Sequence, residues 1–124
     1  MLKVSVHTAD EQGNVYTLLE DLVITWNGKV LVVPAGFESD GASVPRFFWR
    51  VVFPPGDSRA LRIAIVHDFI YRTHPAGWSK AEADTLFYEG MREDGVPFVN
   101  AKIAYYGVYL FGKSSWEAGK YNKV

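Results

Sequence analysis

At 124 residues, with 48% hydrophobic and 15% aromatic side chains, the chain can bury one core and is too short for two. Thirteen Lys and Arg against fourteen Asp and Glu leave a net charge of -1 with no basic block, which removes the electrostatic footprint of a specific nucleic-acid binder. Cysteine is absent, so disulfides and thiolate metal sites are excluded.

In chain order, Lys3 to Thr8 and Val15 to Leu19 read as weak strands across the turn-like Asp10-Glu11-Gln12-Gly13-Asn14. A stronger signal follows. Leu22 to Trp26 and Lys29 to Val33 flank Asn27-Gly28, a pair that accepts the positive φ angles of a type I′ turn, and together they predict a hairpin. Pro34 to Pro45 then breaks all periodicity with two glycines and two prolines, and reads as a structured loop.

Arg46 to Phe53 is predicted as one short helix, ended by Pro54-Pro55-Gly56. Asp57 or Ser58 is placed to cap a helix from about Arg59 to Arg72, and His74-Pro75-Ala76-Gly77-Trp78 makes the turn after it. Ser79-Lys80-Ala81-Glu82 has the spacing of a capping box and opens a helix from Lys80 to Glu93, stopped by Gly95 and Pro97. A last helix runs from about Val99 to Phe111, before a polar tail with Trp116 and Tyr121. The expectation is one α+β domain over 1–124, with a small antiparallel sheet followed by three or four helices. Its parts are strand-rich 1–35, loop 36–45, helical 46–112 and tail 113–124.

The chemistry concentrates in Ala64-Ile65-Val66-His67-Asp68-Phe69-Ile70-Tyr71. On a helix His67 and Tyr71 share a face at i and i+4, while Asp68 turns roughly 100° away. An ionisable pair among apolar residues is costly unless satisfied. Asp84 lies on the next helix, and two helices on a short connection run antiparallel, so its carboxylate can reach His67. A histidine held by a carboxylate is what a general base requires.

Two resemblances extend this reading. Gly36-Phe37-Glu38-Ser39-Asp40-Gly41-Ala42-Ser43-Val44-Pro45, then His67-Asp68-Phe69-Ile70-Tyr71, then Ala83-Asp84-Thr85-Leu86-Phe87, with Tyr106-Gly107-Val108, Gly112 and Trp116, resembles a family of short phage and prophage proteins of unknown function. It covers about four fifths of the chain and implies a phage or prophage setting, with a place in the virion beside other phage structural proteins as one alternative. Met1 to His7 lacks the apolar core of a signal peptide, so synthesis in the host cytoplasm is expected. Separately, His67-Asp68-x-x-Tyr71 followed by Ala83-Asp84-x-x-Phe87 is similar to the catalytic helix pair of phospholipase A₂, especially the disulfide-free form in parvovirus capsids. That similarity implies catalytic roles for His67, Asp84 and Tyr71: His67 activates water, Asp84 orients His67, and Tyr71 hydrogen-bonds Asp84. It also implies Ca²⁺ on Asp68 and a phospholipid substrate. The Tyr-x-Gly-x-Gly calcium loop of those enzymes has no counterpart in residues 37–43, so Asp40, Glu38 or loop carbonyls must complete the shell.

Each of these residues also has a purely structural explanation. His67, Asp68, Tyr71 and Asp84 can form a buried polar network that locks two helices in register, and Asp40-Gly41-Ala42-Ser43 can be a turn. Phe47-Phe48-Trp49 reads as core before it reads as a membrane anchor, and Tyr105, Tyr106 and Tyr109 read as packing. His7 and His74 are ordinary surface or turn residues, and Ser43 lacks the G-x-S-x-G context of a nucleophile. Zn²⁺ fits one His and three Asp only atypically. No apolar run approaches the ~20 residues of a membrane span. Two functions follow, a His-Asp hydrolase of phospholipase-like type and a non-enzymatic virion or tail accessory. A groove open at His67 favours the first, and full burial of His67 favours the second.

Overall fold

A computed structural model describes residues 4–10, 13–40, 43–48, 50 and 57–121. It divides into two compact units, Met1–Gly41 and Ala42–Val124.

The first unit is built of strands β1 (Val4–Asp10), β2 (Gly13–Leu18), β3 (Leu22–Trp26), β4 (Lys29–Val33) and β5 (Glu38–Ser39). They form two antiparallel sheets, β1-β2-β5 and β3-β4. The predicted hairpin is present, with Leu22 opposite Val33 and Trp26 opposite Lys29. Asn27 and Gly28 take φ of 51° and 77°, the mirror-image turn that matches the right-handed twist of the strands. Alternation then sorts the side chains. Ile24, Leu31 and Val33 are buried, whereas Val23, Val30 and Val32 face outward.

The loop over 36–45 is partly sheet. Phe37 to Ser39 run extended along β2, where Leu18 donates to the Phe37 carbonyl at 3.0 Å and Gly36 to the Leu18 carbonyl at 2.8 Å. A loop strand thereby satisfies backbone groups that β2 would otherwise leave unpaired at its edge.

The second unit carries a 3-10 turn at Arg46–Phe48 and, among the described residues, α1 (Leu61–Thr73), α2 (Lys80–Glu93), α3 (Phe98–Phe111) and α4 (Lys113–Tyr121). Of the helix predicted over 46–53, Trp49 and residues 51–53 lie outside the described residues. The start of α1 differs from the expectation. Asp57 accepts from the Arg59 N–H at 3.0 Å in an Asx-type turn, and α1 begins after Ala60 without a side-chain cap. The α2 capping box is as expected, with Ser79 Oγ accepting from the Glu82 N–H at 3.1 Å and the Glu82 carboxylate accepting from the Ser79 N–H at 3.1 Å.

α1 and α2 are antiparallel, because Ile63 meets Gly90, His67 meets Asp84 and the Lys80 ammonium lies 5.9 Å from the Tyr71 ring. Arg62 closes the far end with bonds of 2.8 and 3.0 Å to Asp94. α3 buries Ala101, Ala104, Gly107 and Val108, small residues that allow close approach, and the Phe48 ring lies over Gly107. Phe47, expected in the core, is 90% exposed. Tyr106 and Tyr109 are half exposed and ring Tyr105 at 5.4 and 5.8 Å.

The tail is not a tail. Residues 113–121 are helical because Trp116 gives them an anchor: its ring stacks on His74 at 3.7 Å and meets the edge of Tyr71 at 5.3 Å. Gly119 lies so close to the Tyr71 carbonyl that any Cβ would overlap it.

Candidate functional site

α1 is buried almost all round, from Ile63 through Asp68 and again at Ile70 and Tyr71, so its polar residues must find internal partners. His67 is 1% exposed, with the Tyr71 ring at 4.2 Å and the Phe87 ring at 4.7 Å. Its Nε2 is 2.8 Å from Asp84 Oδ1. The same carboxylate oxygen accepts from the Tyr71 hydroxyl at 2.6 Å, and its partner Oδ2 accepts from Lys80 Nζ at 2.8 Å. Lys80 also donates to the Val108 carbonyl at 3.0 Å, which ties α2 to the last turn of α3.

Asp84 is thus the hub. Burial works to raise its pKa, but the hydrogen bond and charge of His67, followed by the hydrogen bonds from Lys80 and Tyr71, outweigh that and hold the carboxyl below its ordinary value. Tyr71 moves the opposite way. Burial first, then the adjacent Asp84 charge and hydrogen bond, push its hydroxyl well above the usual tyrosine range.

An ionised carboxylate only accepts, so Nε2 of His67 carries a proton and donates it to Asp84, which leaves Nδ1 facing Ser43. Ser43 Oγ lies 2.8 Å from that Nδ1. Asp68, one residue on and turned to the other side of α1, takes Ser43 by two bonds to Oδ1, one from its backbone N–H at 3.1 Å and one from its hydroxyl. The result is a continuous chain from Asp68 through Ser43 and His67 to Asp84. Ser43 is 5% exposed, and no buried side-chain donor or acceptor among the described residues lacks a partner.

Of the residues assigned in advance, the structure brings His67, Asp84, Tyr71 and Asp68 together. Asp40 belongs to the first unit, exposed after β5. Among the described residues no three His, Asp or Glu side chains converge on one position, and Asp68 Oδ1 is faced by two hydrogen-bond donors of Ser43. Lys80 is an addition to the predicted site, and Ser43, set aside above for want of a G-x-S-x-G context, joins it. Lys80 stands four residues before Asp84 on one helix, a spacing that carries a signal. Ser43 is 24 residues from His67, and no local pattern marks it.

Residues 16–108 match the family described as "Protein of unknown function (DUF1353)". The chain belongs to that family. Every residue of the network, from Ser43 to Asp84, lies inside the matched stretch. It is also similar to two proteins of Sinorhizobium fredii (strain NBRC 101917 / NGR234). "Uncharacterized protein y4jT" is 38% identical over 88 residues, covering 69% of this chain and 25% of the relative. "Uncharacterized protein y4iH" is 33% identical over 75 residues, covering 60% of this chain and 30% of the relative. The chain therefore spans between a quarter and a third of the length of these curated relatives. No solved structure matches it.

Proposed function

We propose that this chain is a phage-type ester hydrolase of phospholipase-like chemistry, with His67 as general base. The observation that carries the reading is the division of the imidazole between two tasks. Nε2 is fixed by an Asp84 that is itself held by Tyr71 and Lys80, and Nδ1 faces a hydroxyl at 2.8 Å, the distance at which a base removes a proton. The His-Asp and Tyr-Asp bonds are those the phospholipase-like motif implies, and that motif supports a lipid ester as substrate. The phage or prophage setting rests on the 36–45, 67–71 and 83–87 pattern.

The criterion set from the sequence, full burial of His67, favours a second reading. His67 is 1% exposed and the chain from Asp68 to Asp84 is closed on itself, which suits a non-enzymatic virion or tail accessory stabilised by a polar lock. One experiment separates the two. Fatty-acid release from anionic and zwitterionic vesicles is measured for wild type and His67→Gln, with Ca²⁺ and with chelator. The hydrolase reading expects release that falls ~10²-fold or more in the variant while the fold is retained. No release by wild type under any metal condition, or equal release by both, leaves the structural role as the account.

A further inference from the structure

We infer that Ser43 is the nucleophile of this site, so that the reaction runs through an acyl-serine and needs no calcium. The inference rests on the hydrolase reading above and deepens it by replacing an attacking water with a side chain. Its basis is position. A nucleophile must sit within hydrogen-bond reach of a base that a third group orients, and Ser43 Oγ, His67 and Asp84 meet this at 2.8 Å and 2.8 Å. Such constellations are recognised by geometry and not by sequence order, and the missing G-x-S-x-G context does not bear on them.

Asp68 gives the arrangement a resting state. Its Oδ1 receives both the N–H and the hydroxyl of Ser43, so the single hydroxyl proton has two acceptors, Asp68 and His67. When Ser43 leaves Asp68, its hydroxyl proton turns to His67 Nδ1 and its amide is freed in the same movement. The nucleophile's own N–H is one of the donors that serine hydrolases direct at the oxyanion.

The step balances as follows. Ser43 Oγ forms a bond to the ester carbonyl carbon while its proton passes to Nδ1. The carbon–oxygen bond to the alcohol breaks, and the alcohol departs with that proton. Water then adds to the acyl-serine carbon, giving its proton to Nδ1, and the bond to Oγ breaks as that proton returns to Ser43 and the carboxylic acid leaves.

The test uses the full-length chain in chelator with a fluorophosphonate probe and p-nitrophenyl esters, read by intact mass and peptide mapping. Wild type is expected to gain one phosphonyl adduct on the peptide bearing Ser43, and His67→Gln to label at least ~10²-fold more slowly. Ser43→Cys keeps a nucleophile in place and is expected to carry an acyl adduct from the ester. The wild-type adduct decides the matter whether or not a variant folds. An adduct on another residue, or ester hydrolysis that persists in Ser43→Ala or requires Ca²⁺, overturns the serine and leaves His67 activating water. Wild type that neither labels nor hydrolyses removes both this inference and the hydrolase reading.

Discussion

The β3-β4 hairpin and the α1-α2 pair are both antiparallel neighbours on a short connection, yet their registers have different origins. In the hairpin, two residues with positive φ set the register, and nothing lies within 4 Å of where a Gly28 Cβ would stand. In the helix pair, register is set by Asp84, a carboxylate 0% exposed that three donors from two helices converge on. Backbone conformation in one place and buried charge in the other give the two pairs opposite sensitivities. The hairpin's turn rests on backbone conformation with open space around Gly28; the helix pair depends on partners and protons.

Breaking the helix pair is expected to have the largest effect. Asp84→Ala strands His67 Nε2 and the Tyr71 hydroxyl and leaves Lys80 only its carbonyl partners, and removing one partner from a buried charged network costs about 3–5 kcal/mol. Chemical denaturation should show a lowered midpoint with an unchanged slope, and Asp84→Asn, which keeps one acceptor oxygen, should lose less. An unchanged midpoint in the alanine variant would mean that this carboxylate does not set the register.

A proton should do part of what the alanine does. The native pKa of Asp84 is depressed, so its contribution is fully present above the unfolded carboxylate range near ~3.9 and is lost as pH falls through the lower native value. Tyr71 adds the opposite limb. Its native pKa is raised, so its contribution is complete below the unfolded value of ~10 and declines as pH rises beyond it. The acid effect should be smaller than that of Asp84→Ala because protonation leaves a carboxyl in place to bond. Denaturation midpoints taken from neutral pH downward should fall in wild type and fall less steeply in Asp84→Asn. Parallel curves for the two proteins would place the acid-sensitive groups elsewhere.

The same contrast explains what could be read from the chain beforehand. Asn27-Gly28 and Ser79 to Glu82 were legible because turn and capping chemistry is local, and the hairpin and α2 stand where those residues put them. His67 and Asp84 were legible because helical periodicity and a short turn bring them face to face. Ser43 was not, since its place at His67 comes from a loop whose course no periodicity predicts, and it is fixed by Asp68 across the chain. The helix at 113–121 was missed for a related reason. Its composition is polar, and Trp116 and the close approach at Gly119 hold it to α1. Phe47 misled in the other direction, an aromatic residue that composition alone sends to the core and that the 3-10 turn points outward.

The smallest expected effect sharpens the comparison from the hairpin side. Gly28→Ala introduces a Cβ at φ +77° with no neighbour to collide with, so the whole cost is the left-handed conformation imposed on an L residue, about 1 kcal/mol. Because no titratable partner takes part, the shift in midpoint should be the same at neutral and acidic pH, where that of Asp84→Asn should shrink as wild type itself becomes protonated. The measurement is a pair of denaturation curves at two pH values for each variant. A Gly28→Ala effect above about 3 kcal/mol, or one that changes with pH, would show that the turn is coupled to buried groups and that the two registers are not set independently.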